Sequence, residues 1–215
     1  MKHYGLEHTL GEHIADGVMH VLGVVAAVAG ATALIVWAAL EVPFAQVWPL
    51  IPYAVGLVAT FAFSAAYNMT LHRRIRAVLR RFDHAAIYLM IAGTYTPMAI
   101  IGIGGGRGLA LAIAAWSLAV FGITLKLAFF HRWHRLGFVL YLTQGWLGVL
   151  AAWPIIQSLP LAASILLLIG GLTYTAGTIF HHANWKFSTA IWHGHVLAAA
   201  ATHYAAIFVL VALAR

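Results

Sequence analysis

Residues 17–40 read GVMHVLGVVAAVAGATALIVWAAL, with His20 as their only ionisable side chain. A helix needs about 20 predominantly apolar residues to cross about 30 Å of hydrocarbon, so this stretch is expected to span a membrane. Further stretches of the same kind follow at 47–70, 84–103, 108–130, 136–154, 159–180 and 190–213. Turn-forming residues separate them: Pro43 and Pro49, Gly104 to Gly106, then Pro154 and Pro160. The 215-residue chain is 63% hydrophobic and 8% charged, with a mean hydropathy of +0.92. Soluble domains carry about 25% charged residues, so the exterior of this chain is expected to face lipid. The fold class is therefore an all-α integral membrane bundle of seven transmembrane helices, one domain over 1–215.

Orientation follows from the basic residues. Lys2, Arg73, Arg74, Arg76, Arg80, Arg81, Arg132, Arg135 and Lys186 fall on the side shared by the N-terminus and the even loops. Arg107 and Arg215 fall on the other side, and Lys126 lies within the fourth span. Cytoplasmic loops carry the lysine and arginine excess, so the N-terminus is predicted inside and the C-terminus outside. The same pattern accounts for the net charge of +7 without nucleic acid. The first 16 residues are polar and of mixed charge, and the apolar run after them is too long for a signal-peptide core. Trp48, Tyr53 and Trp153 fall where an outer aromatic belt belongs. The chain has no cysteine, so a transition metal would have to be held by His, Asp or Glu.

On this frame the polar residues converge on the cytoplasmic half. Glu12, Asp16 and His20 form an i, i+4, i+8 stripe, as do Ser64, Asn68 and His72. Asp83 and His84 open the third span, while Thr189 and His193 open the seventh. His203 lies about 15 Å deeper at 1.5 Å per residue. Ionisable residues inside a span are costly and usually face a bundle interior, which singles out His20, His193 and His203. Plainer roles exist for others. Asp83 can cap the third span, Glu12 and Asp16 can be solvated, and Ser64, Asn68 and Thr189 can bridge helices by hydrogen bonds. His131, His134, His181 and His182 read as interfacial. His195 is about 200° around the helix from His193, so the two do not face one site.

Longer stretches then carry a resemblance. EHIADGVMH at 12–20, SAAYN at 64–68, LRRFDHAAIYLMIAGTYTP at 79–97, GITLK at 122–126, Gly145-Trp146, GGLTYTAG at 170–177 and AIWHGHVLAAAATHY at 190–204 resemble the hemolysin III branch of the progestin and adipoQ receptor (PAQR) family. Its larger superfamily includes alkaline ceramidases. The resemblance implies seven helices with the N-terminus inside, in agreement with the charge count. It also implies zinc, held by Ser-x3-His in span two, Asp in span three and His-x3-His in span seven. On that pattern Ser64 and Asp83 are the catalytic candidates and His193 is a metal ligand. Asn68 and Thr189, however, stand where two of the three imidazoles belong, and neither is a strong zinc ligand. A rearranged site would use His193 with Asp83 and with His20 or His72.

Three functions are compatible with this reading: membrane homeostasis or lipid sensing in the bacterial inner membrane, a zinc-dependent lipid amidohydrolase, and a proton or ion path through the acid and histidine cluster. The polar-site candidates common to them are Glu12, Asp16, His20, Asn68, His84, Thr189 and His203. Membrane lipids are the expected partners, with anionic headgroups at Arg73, Arg74, Arg76, Arg80 and Arg81. A secreted pore-former is a poor match, since the chain has no long amphipathic segment able to pass from water into a membrane.

Overall fold

A computed structural model describes residues 9–130, 132 and 134–213, without the side chains of 134 and 135. Lys2, His131 and Arg215, and the side chains of His134 and Arg135, lie outside the described residues. No strand occurs among those described. Six helical segments are long and apolar enough to cross a membrane.

Helix α1 (Leu10–Glu41) starts seven residues before the apolar stretch, because Thr9 and Glu12 form a capping box. Its buried residues, Asp16, His20, Gly23, Ala27, Ala31, Leu34 and Ala38, recur every three or four positions and make one inward stripe. Val18, Val21, Val25 and Val28 are exposed on the outer side, where lipid belongs. After the short α2 (Phe44–Val47), α3 (Leu50–Met69) returns beside α1. Tyr53 is fully buried in the core with Leu34, Leu50 and Ile207, so it does not join Trp48 and Trp153 in an aromatic belt.

Helix α4 (Arg73–Pro97) also begins before its apolar stretch, so the basic run Arg73 to Arg81 is helix rather than loop. Its cap is His72, whose Nδ1 accepts from the Ile75 amide at 3.5 Å; Asp83 lies well inside the helix. Helices α3 and α4 approach closely through glycines: a Cβ on Gly93 would sit 2.6 Å from the Pro52 carbonyl oxygen. Small residues permit such close helix approach in membranes. Pro97 lacks an N–H, and the helix widens after it into a π-helical turn, Met98–Ile103. Gly104 and Gly105, at φ of 66° and 54°, reverse the chain into α5 (Gly105–Ala128). Positive φ of this kind favours glycine.

The predicted fifth span, 136–154, is not one helix. It forms α6 (His134–Gly145), α7 (Leu147–Leu150) and α8 (Ala152–Ser158). The breaks fall around Gly145-Trp146 and at Ala151, just before Pro154. Tyr95 stabilises the first break: its hydroxyl donates to the Gly145 carbonyl at 2.9 Å and accepts from the Gly148 amide at 2.6 Å. The pieces still run parallel to α4. Gly137 meets Tyr88, Gly145 and Gly148 meet Tyr95, and Leu159 packs against Gly102. The segment thus passes from the basic end of the bundle to the opposite end. Helices α9 (Leu161–His182) and α10 (Ser188–Leu213) pair to complete the bundle.

Candidate functional site

Because α1 and α10 pack together, Asp16 and His20 meet His193 at the basic end. Asp16 is 6% exposed and His20 is 3% exposed. His193 Nδ1 lies 2.5 Å from Asp16 Oδ1. A carboxylate only accepts hydrogen bonds, so Nδ1 carries the proton of this bond. Ser64 Oγ, on α3, stands 3.5 Å from His193 Nε2. Asn68, one turn further along, donates from Nδ2 to the Ser64 carbonyl at 3.0 Å and to Ser64 Oγ at 3.4 Å. His20 Nε2 lies 3.3 Å from the second Asp16 oxygen, and its ring centroid is 4.3 Å from that of His193.

Glu12, Asp83, His84 and His203, all predicted site residues, lie elsewhere in the arrangement. Glu12 closes the cap of α1, and its Oε1 accepts from the Phe187 amide at 3.0 Å, tying α1 to the start of α10. Phe187 holds a φ of 63°, unusual for a bulky residue. Asp83 makes a 3.3 Å contact with His84, and both are partly buried. His203 sits apart, donating from Nε2 to the Leu167 carbonyl at 3.2 Å. Thr189 lies one turn before His193 on α10. His193 therefore pairs with Asp16 rather than Asp83, while His72 caps α4.

The zinc pattern implied by the resemblance does not fit its usual positions. Only His193 supplies an imidazole there, and the Asn68 amide nitrogen is turned towards Ser64 as a donor. A different set has suitable chemistry. Asp16, His20 and His193 offer ligand atoms within 4.8 Å of one another, and two imidazoles with one carboxylate form a ligand set that catalytic zinc accepts. Sequence reasoning placed all three at one depth. It did not foresee the direct Asp16–His193 bond, because helix order around the bundle is not encoded in hydropathy.

A cavity of about 360 Å³ was also not foreseen. It is bounded by α4, the broken α6–α8 segment, α9 and α10, with Thr60, Tyr141, Gly171, Trp192, Val196 and His203 on its walls. Thr60 is one turn from Ser64 and Trp192 is next to His193 in sequence, so α3 and α10 each carry a cavity-lining residue close along the chain to a residue of the polar cluster. The lining is overwhelmingly apolar, as expected of a site for a lipid chain. Trp146 spans from the break to α9, with its indole N–H donating to Thr175 Oγ1 at 3.2 Å.

Comparison with known proteins agrees with this architecture. The family model described as haemolysin-III related matches residues 9–204. The "Hemolysin-3 homolog" of Bacillus subtilis (strain 168) is 35% identical over 202 residues, 91% of this chain and 92% of that protein. "Hemolysin-3" of Bacillus cereus is 33% identical over 193 residues, covering 88% and 87%. The human "Monocyte to macrophage differentiation factor" is 28% identical over 163 residues, covering 73% and 67%.

Proposed function

The chain belongs to the haemolysin-III related family of integral membrane proteins, and from that premise we propose that it serves plasma-membrane homeostasis by engaging a membrane lipid. The lipid's chain occupies the apolar cavity and its polar head meets the Asp16, His193 and Ser64 cluster. The observation that supports this reading is position along two helices: Thr60, one turn from Ser64 on α3, and Trp192, next to His193 on α10, both line the cavity. Arg73 and Arg74 are exposed at the start of α4 and would face anionic headgroups. Arg76, Arg80 and Arg81 are partly engaged by Tyr67, Phe130 and the Leu127 carbonyl. Gly171 lines the cavity and a Cβ there would meet nothing within 4 Å, so a large side chain can start from this position and Gly171→Trp would occupy the space. Mass spectrometry of lipids retained by purified wild type should show a bound species that Gly171→Trp loses. Equal retention by both would refute the reading.

The ligand set of Asp16, His20 and His193 favours a second reading, a metal-dependent lipid hydrolase. Zinc held there would supply a Lewis acid and lower the pKa of its water towards 7. Ser64, 3.5 Å from His193 Nε2, would orient that water. Stoichiometric zinc in the purified protein, lost on His193→Ala, would support this reading; zinc-free protein after zinc-replete purification would exclude it.

A further inference from the structure

We infer that Asp16, His193 and Ser64 form a nucleophilic relay that hydrolyses a carboxylic ester of a membrane lipid at Ser64. The inference rests on the lipid-engaging reading and competes with the metal reading. An ion held by His193 Nδ1 and Asp16 would replace the 2.5 Å hydrogen bond on which the relay depends.

The geometry contains the parts a serine nucleophile needs. A buried carboxylate orients the imidazole through Nδ1, and the opposite nitrogen faces a hydroxyl. This is the order of roles in acid–histidine–serine catalysis, which is recognised by geometry rather than by fold. The 3.5 Å gap between Nε2 and Oγ is long, but such bonds are often loose before substrate binds and tighten afterwards. Asn68 adds a third part. Its Nδ2 donates to the Ser64 carbonyl at 3.0 Å and lies 3.4 Å from Ser64 Oγ, within reach of an oxyanion formed at a carbonyl that Oγ attacks. Oriented amide donors at that place stabilise the tetrahedral intermediate. A side chain unsuited to zinc thus acquires a use, and the cavity lined by Thr60, one turn from Ser64, can take the acyl chain.

The reaction balances as ester plus water. Ser64 Oγ bonds to the acyl carbon as its proton passes to His193 Nε2. The bond from the acyl carbon to the alcohol oxygen breaks, and His193 returns the proton to that alcohol. Water then attacks the acyl-serine and gives a proton to His193. The Oγ–carbon bond breaks, Ser64 recovers its proton, and the carboxylic acid leaves.

The test uses full-length protein in lipid nanodiscs with a zinc chelator, treated with a short-chain alkyl fluorophosphonate. Intact mass and peptide mapping should show one adduct, on Ser64. Ser64→Ala, a small change that leaves the helix intact, should show none. Asp16→Asn and His193→Ala should label more slowly by about 100-fold or more. No Ser64 adduct, labelling of Asp16→Asn at the wild-type rate, or labelling that requires added zinc would each overturn the relay. The short probe does not need the cavity. Lipid retained without a Ser64 adduct therefore refutes the relay alone, whereas an adduct without retained lipid refutes the lipid-engaging reading.

Discussion

Adjacent glycines on α9 should respond in opposite ways to the same substitution. A Cβ on Gly170 would lie 2.2 Å from His203 Cδ2 and 2.4 Å from its Nε2, whereas a Cβ on Gly171 meets nothing within 4 Å. Carbon contacts are comfortable at about 3.5–4.0 Å, so Gly170→Ala forces the imidazole back by about 1 Å or more. That movement breaks the 3.2 Å bond from Nε2 to the Leu167 carbonyl. Losing a buried hydrogen bond costs about 1–3 kcal/mol, and overpacking costs about 1–3 kcal/mol. Together they amount to roughly 2–6 kcal/mol, moderated because His203 can retreat into the cavity it lines. Gly171→Ala should be neutral, or stabilising by up to about 1 kcal/mol through helix propensity. Reversible unfolding in mixed micelles of detergent and sodium dodecyl sulfate measures both. A His203→Ala background should remove most of the Gly170→Ala penalty, which a double-mutant cycle resolves. If Gly170→Ala is within about 0.5 kcal/mol of wild type, or its penalty is unchanged without His203, the packing argument is wrong.

Other outcomes follow from the same structure. A reporter fused at the C-terminus should be active on the outer face and one at the N-terminus on the cytoplasmic face; a cytoplasmic C-terminal signal would mean that α6–α8 does not complete a crossing. Glu12→Ala removes the capping box and the tie to Phe187, and should cost about 1–2 kcal/mol. Faster hydrogen exchange should then appear at both 10–16 and 187–190, and unchanged exchange at 187–190 would show that the tie carries no load. If zinc is bound, its affinity should fall on acidification, since His20 and His193 must be neutral to ligate it; affinity unaffected between neutral and mildly acid pH would place the ion elsewhere.

The membrane class and six of the seven segments were legible because hydropathy reports burial in lipid directly. The fifth was legible in position but not in form: Gly145-Trp146 and Pro154 mark weak points, yet the breaks depend on Tyr95 reaching across from α4. Helix starts were placed too late at α1 and α4, because polar and basic residues can extend a helix beyond the apolar stretch. The depth of Asp16, His20, Ser64 and His193 followed from counting residues. Their mutual order did not, since nothing in a periodic pattern tells which neighbour a stripe will face. The cavity is a space left between helices, and no local pattern of residues encodes it.

Substitution at Asn68 and Thr189 removes imidazoles from α3 and α10, while α1 brings Asp16 and His20 to the same place. The consequence is mechanical as well as chemical. A site shared by α3 and α10 alone would depend on the packing between those helices, whereas this one depends also on how α1 meets α10. That contact is reinforced one turn before Asp16, where Glu12 accepts from the Phe187 amide. Phe187 itself pays for a positive φ at the cap of α10, a conformation that persists when surrounding contacts impose it. Six residues later α10 presents His193 to Asp16. The cap of one helix and the geometry of the site are therefore coupled through a single carboxylate, and weakening Glu12 should lengthen the Asp16–His193 contact before it unfolds the bundle.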